Sequence, residues 1–165
     1  MLIRLLLSAV ALTCASAAGC RWLASHLTIN VTPSVPIGIY WLRPSDHPTV
    51  GATVSLTAPP GLQRLIAERS YLPSDFTLLK RVVAVTGDDV CITQDRYLVN
   101  GKLLSTIAVV DRSGRALPPP FPFCGAVPPG LVFLGAQPSS SLDSRFFGPV
   151  SETVLTTAVP LWTSS

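Results

Sequence analysis

The sequence predicts a mainly β domain with one short helix, set behind an apolar N-terminal segment. Three observations carry that class. Sixteen Pro and eleven Gly, about a sixth of the 165 residues, favour many turns and short strands over long helices. Thr77–Thr86 is a run rich in β-branched residues. Asn100-Gly101, flanked by two short apolar stretches, is a strong hairpin signal. A chain of 165 residues has room for one core. With 48% hydrophobic and 13% charged residues, a disordered or polyelectrolyte chain is excluded, and the single Met and low charge density argue against a coiled coil.

The N-terminal segment comes first. Arg4 precedes an uncharged, mostly apolar stretch, Leu5–Cys20, which ends at Arg21. The stretch is a little shorter than the ~20 apolar residues that span a bilayer comfortably. A charged start and a short hydrophobic run predict export. Two outcomes stay open. Ala15-Ser16-Ala17 could be a cleavage site, or Trp22 and Leu23 could extend the run into an uncleaved helix anchored at the interface. A buried core helix is disfavoured because the run has no polar face. Ala18-Gly19-Cys20 lacks the Leu of a lipoprotein box. The division is therefore 1–23 for the signal or anchor and 24–165 for a single folded domain.

Within that domain, Thr49–Thr57 holds a short strand, broken by Pro59-Pro60-Gly61. Gly61–Tyr71 has Leu62, Leu65, Ile66 and Arg69 at helical spacing and predicts a helix that covers a sheet edge. Thr77–Thr86 is the strongest strand, ended by a Gly87-Asp88 turn. Arg96–Ser105 is the Asn-Gly hairpin, Ser113-Gly114 a second turn, Pro118–Pro122 an extended connector, and Leu131–Gly135 and Thr153–Val159 two closing strands.

The formal charge is +3, and beyond Arg21 ten basic side chains face nine acids, leaving +1. That is no footprint for nucleic acid. Cys91 and Cys124 are the only cysteines outside the N-terminal segment, and an even pair in an exported domain predicts one disulfide, the alternative being two buried thiols. Such a bond closes a loop worth roughly 3–4 kcal/mol on a chain-entropy estimate. With no CxxC and only His26 and His47, no metal site is expected, and no cofactor motif occurs.

Lysine is nearly absent, occurring only as Lys80 and Lys102. Lys102 follows the Asn-Gly turn, while Lys80 lies inside the strongest strand. Period-two alternation puts Lys80 on one face with Leu78, Val82 and Ala84, and Arg81 on the other. An unpaired buried ammonium is costly, so a lysine held there loses its proton and can serve as a general base. The plain alternative is an edge-strand lysine reaching into water. A base needs a nucleophile. Ser34, bracketed by Pro33 and Pro36 and followed by Gly38, offers a hydroxyl on a rigid loop; it could equally be an ordinary loop residue.

Ser34 in its Ser-Val-Pro-Ile-Gly-Ile-Tyr-Trp stretch, Leu79-Lys80-Arg81-Val82-Val83-Ala84-Val85-Thr86-Gly87-Asp88, and Ser141-Leu142-Asp143-Ser144-Arg145-Phe146-Phe147-Gly148-Pro149 resemble, in order, the motifs of the type I signal peptidases. Val35 after the serine is closer to the conjugative-transfer branch, the TraF-type pilin-processing peptidases. The resemblance implies a compact signal-peptidase-like β scaffold and a Ser34/Lys80 dyad, with Ser34 as nucleophile and Lys80 as base. It also implies that Thr32 donates to the oxyanion beside the Ser34 N–H, a contribution of roughly 3 kcal/mol in a related setting. Ser141 matches the hydroxyl that orients the lysine, and Asp143 and Arg145 the pair that braces the corner. Gly135-Ala136-Gln137 departs from the family's usual Gly-Asp-Asn, which bears on the outer bracing of the site.

The expected function is a membrane-associated serine endopeptidase that acts on pilin or other preprotein precursors presented from the inner membrane, on its periplasmic face. Ser34 lies about a dozen residues past the apolar segment, at most roughly 45 Å when fully extended. The alternatives are a general signal peptidase, a noncatalytic exported β module, and a Ser-His hydrolase using His26 or His47. The last lacks a Gly-x-Ser-x-Gly elbow.

Overall fold

The computed structural model describes residues 16, 18–44, 47–73 and 77–164. Arg4, Cys14, most of the apolar run, and Ala15 and Ala17 of the Ala15-Ser16-Ala17 site lie outside the described residues. Residues 18–26 are helical, and among the described residues no helix is long and apolar enough to cross a membrane.

Two antiparallel sheets follow. The strands are β1 (Leu27–Asn30), β2 (Gly38–Pro44), β3 (Thr53–Leu56), β4 (Leu78–Ala84), β5 (Asp89–Ile92) and β6 (Arg96–Val99). Then come β7 (Lys102–Thr106), β8 (Phe123–Ala126), β9 (Leu131–Gly135), β10 (Val150–Ser151) and β11 (Thr156–Thr163). Helix α1 (Pro60–Glu68) lies between β3 and β4, and a one-turn helix, α2 (Ser144–Phe147), follows β9. The large sheet runs β1-β2-β11-β3-β4-β9-β10, and the small one β7-β6-β5-β8.

The mainly β class holds, with three differences from expectation. Beyond the N-terminal helix, there are two short helices among the described residues, not one; α2 escapes periodicity because a single turn has no repeat to detect. Helix α1 does not cover a sheet edge. Its buried Leu62 and Ile66 pack with Val54, Leu56, Leu78, Val82 and Leu134, on the face of the central strands. The last strand starts at Thr156, because Glu152–Val154 is a 3₁₀ turn capped by the Ser151 hydroxyl. It runs to Thr163 and enters the middle of the large sheet, between β2 and β3.

One turn follows its residue chemistry and one expected turn does not form. Asn100 and Gly101 both have positive φ, 49° and 73°, as a two-residue hairpin linking Val99 and Lys102 needs. Gly38, expected to permit a turn, instead opens β2. A Cβ there would sit 2.1 Å from the Trp162 carbonyl oxygen, so close approach of β11 demands the glycine.

Cys91 lies on β5, in the small sheet, and not at the end of the Lys80 strand; Gly87-Asp88 turns the chain away first. Cys91 stands opposite Cys124 on β8, with the sulfurs bonded at 1.91 Å. The bridge joins two strands of the small sheet and leaves β4 untouched.

Candidate active site

Ser34 sits on the loop between β1 and β2, and that loop is fastened at both ends. Asn30, the last residue of β1, is buried. Its Nδ2 donates to the carbonyls of Thr32 (2.7 Å), Val35 (2.7 Å) and Pro36 (3.1 Å). Its Oδ1 accepts from the Thr32 N–H (3.3 Å) and hydroxyl (3.1 Å). The Tyr40 hydroxyl donates to the Pro36 carbonyl at 2.6 Å. Val35 is pinned into a small core with Tyr40, Leu79 and Ala158. With Pro33 and Pro36 fixing φ on either side, Ser34 is held out of the core on a backbone with little freedom.

Lys80 is 4% exposed and lies on β4 between β3 and β9, opposite Val54. The strand is interior, so the solvated edge lysine is overturned: no open side exists for the amine to reach. Nζ lies 2.5 Å from Ser34 Oγ and 3.0 Å from Ser141 Oγ. Burial pushes the amine down to about 8. The Asp143 carboxylate opposes that shift and the Arg145 guanidinium adds to it. A neutral amine at this distance can accept the hydroxyl proton of Ser34.

Ser141 is brought in by the loop after β9, and its Oγ also lies 3.5 Å from Ser34 Oγ. Asp143 and Arg145 are fully buried and do not hydrogen-bond to Ser34 or Lys80; they hold this loop. Arg145 Nε and Nη2 clasp Asp143 at 2.7 and 3.0 Å. The rest of the guanidinium donates to the carbonyls of Ala136 (2.6 Å), Pro138 (2.9 Å) and Ser139 (2.9 Å) and to the Ser105 hydroxyl (2.8 Å). Among the described residues every buried side-chain polar atom finds a partner, as a buried ion pair requires. The corner is thus braced through backbone carbonyls, which the side chains of Gly135-Ala136-Gln137 do not alter.

Thr32 Oγ1 lies 3.5 Å from Ser34 Oγ, on the loop beside the Ser34 N–H. Two clefts meet at Pro33 and Ser34. One, of about 460 Å³, also includes Lys80, Ser141, Leu142 and the 69–72 and 111–115 segments. The other, of about 490 Å³, is lined by Ile37, Arg81, Val83, Leu104 and Gln137 among others. An extended peptide lying across Ser34 would enter both.

The profile of the signal peptidase, peptidase S26 family matches residues 2–162. The chain belongs to the S26 signal peptidases. Among relatives, a conjugal transfer protein TraF of Agrobacterium fabrum is 35% identical over 148 residues, covering 82% of this chain and 81% of the relative. A plasmid transfer protein TraF of Escherichia coli is 35% identical over 153 residues, covering 86% and 85%. A probable conjugal transfer protein TraF of Sinorhizobium fredii is 34% identical over 135 residues, covering 74% and 69%.

On this S26 scaffold, Thr32, Ser34, Lys80 and Ser141 come together, while Asp143 and Arg145 stand behind them. Cys91 and Cys124 lie in the other sheet. Neither histidine joins the site: His26 packs in a three-ring cluster with Trp22 and Trp41, and His47 pairs with Glu152. Among the described residues no three His, Cys, Asp or Glu side chains gather as metal ligands. Sequence reasoning assigned no role to Asn30 or Tyr40. Asn30-Val31-Thr32 carried a local signal, an Asn side chain able to bond the backbone two residues on. The Tyr40 contact depends on the fold of the loop and had no local mark.

Proposed function

We propose that this chain is a membrane-associated serine endopeptidase in which Ser34 is the nucleophile and Lys80 the general base, and that it matures an exported precursor of a conjugation apparatus, a pilin subunit. The observation that carries the reading is the 2.5 Å approach of Lys80 Nζ to Ser34 Oγ inside a buried, dehydrating site.

Neutral Lys80 takes the Ser34 proton as Oγ attacks the scissile carbonyl. The Ser34 N–H and the Thr32 hydroxyl donate to the oxyanion that forms. The Lys80 ammonium then returns the proton to the departing amine, leaving an acyl-enzyme. Water, deprotonated by Lys80, releases the acyl group and restores Ser34. Ser141 keeps the amine pointed at Ser34, and the Asp143–Arg145 pair keeps Ser141 in place.

The membrane face is supported by an exposed apolar row across three paired strands: Ile29 on β1, Ile39 on β2 and Trp162 on β11, at 55%, 38% and 59% exposure. Such a row beside the Ser34 loop suits substrates presented from a bilayer, on the periplasmic side of the inner membrane. General preprotein processing would use the same chemistry; the conjugal transfer names of the relatives favour the dedicated role.

The test is cleavage of precursors encoded beside this gene by purified full-length chain in detergent, with products read by mass spectrometry. A defined fragment made by the wild type and lost in Ser34→Ala supports the proposal. The same products from both proteins, or none with transfer proceeding normally, would return the chain to a noncatalytic role.

A further inference from the structure

The dyad lines the 460 Å³ cleft, and the same lining carries charge that the chemistry above does not use. Arg69, just past α1, and Arg112 and Arg115, on the turn after β7, all line it, and Asp111 is the one acid among the lining residues. Three guanidinia against one carboxylate leave two positive charges unbalanced.

Asp111 is already saturated. It accepts from the Tyr71 hydroxyl, from Arg115 Nε at 2.7 Å, and from the Ser113 and Arg115 N–H groups at 2.8 and 2.9 Å. Arg69 Nη1 stands 3.6 Å away. These donors, the Tyr71 hydroxyl foremost, hold its carboxyl well below the usual carboxylate range, so it stays ionised as the fastening of the wall. Arg69 is further tied to the Ala116 carbonyl at 2.8 Å, and Arg115 lies 5.1 Å over the Tyr71 ring.

Arg112 differs. It is exposed, sits at the tip of the Asp111–Arg115 turn, and makes no hydrogen bond or ion pair among the described residues. A guanidinium fork of this kind matches a carboxylate with two parallel hydrogen bonds. Arg69 and Arg115 add like charge to the same cleft, whose lining also includes the apolar Leu72, Leu117 and Leu142. Among the described residues, Arg81 is the only charged one lining the second cleft, so the two clefts that meet at Ser34 present different electrostatics to a bound peptide.

We infer that Arg112, backed by Arg69 and Arg115, is a carboxylate-recognising subsite that selects substrates bearing a negative charge a few residues from the scissile bond. The inference rests on the peptidase reading and deepens it, naming the substrate class. The carboxylate can come from an Asp or Glu side chain or from a free C-terminus, and the two sources are separable.

The test uses the full chain in detergent and three alanine-rich peptides. One has an acidic side chain and an amidated end, one a neutral side chain and a free C-terminus, and one neither group. Turnover is measured with the wild type, and affinity in parallel with Ser34→Ala, so charge dependence is read even if no peptide is cut. A carboxylate peptide should be favoured over the uncharged one by about tenfold, a preference that shrinks as salt screens the pair. Whichever of the two carboxylate peptides carries the preference identifies the source. Arg112→Gln should bring the ratio towards one, Arg112→Lys should restore part of it, and Arg112→Glu should turn it towards a lysine-bearing peptide. Equal binding of all three peptides, or a preference indifferent to Arg112→Gln and Arg112→Glu, overturns the inference. Charge-dependent binding without any cleavage would strike instead at the peptidase reading.

Discussion

At the scale of single residues, Lys80 joins sequence to chemistry most directly. A lysine in the middle of a β-branched strand was visible as an anomaly, and the strand alternation placed it with Leu78 and Val82. That it is interior was not visible, because β4 pairs with β3 and β9, distant in sequence. Ser34→Ala and Lys80→Ala should each abolish processing with the fold intact. Lys80→Arg should fail too, since a guanidinium cannot act as a base near neutral pH. Thr32→Val should leave residual activity, as loss of one of two oxyanion donors does. Precursor cleavage by gel or mass spectrometry reads all four. Stability should move the other way. The folded amine titrates at about 8 and the unfolded one at about 10.4. Between those values the unfolded chain binds more protons, so stability rises with pH across the window, and the penalty is fully present below 8. Lys80→Met should therefore be more stable than the wild type near pH 7, by up to about 3 kcal/mol, with the gain fading towards pH 10 in denaturant titrations. Asn30 shows the limit of residue-level inference: an Asn before a loop signals a turn, but its hold on three carbonyls follows only once the loop closes.

At the scale of elements, local chemistry predicted what local chemistry determines. The Asn100-Gly101 hairpin, the Gly87-Asp88 and Ser113-Gly114 turns, and the strand at 131–135 stand as expected, and the helix at 61–71 begins and ends within three residues of α1. The strands that escaped notice, β1, β2, β5, β8 and β10, are short or owe their form to pairing with other segments. Leu27–Asn30 becomes a strand by pairing with Gly38–Trp41, and Phe123–Ala126 by pairing with Asp89–Ile92. Since the Cys91–Cys124 bond closes a 33-residue separation within the small sheet, Cys91→Ser with Cys124→Ser should lower stability by roughly 3–4 kcal/mol. Precursor turnover well below the lowered Tm should be unchanged. A matching loss of turnover would mean that the small sheet supports the site more closely than its position indicates.

At the scale of the whole molecule, the large sheet does two things at once. Its centre buries Lys80, and its β1-β2-β11 end turns Ile29, Ile39 and Trp162 outward beside the Ser34 loop. The strand pattern marked Lys80 as anomalous but left its burial open, since β3 and β9 lie far from it in sequence. The second depends on β11 inserting between β2 and β3, which no local pattern announces. Replacing the row, Ile29→Ser with Trp162→Ser, should reduce kcat/KM for a precursor embedded in lipid vesicles several-fold while sparing a soluble peptide carrying the same cleavage site. An equal effect on both substrates would assign the row to folding and not to the bilayer.

The most direct test of the Ser34/Lys80 dyad is the pH dependence of kcat/KM for precursor cleavage, measured on the wild type and on a variant with both His26 and His47 replaced by Gln. A desolvated lysine base predicts one rising limb in both proteins, centred near the value of about 8 that burial gives Lys80. A limb near 6.5 that disappears with the histidines, or one that rises only at the ~10.4 of an unperturbed lysine, would contradict the dyad.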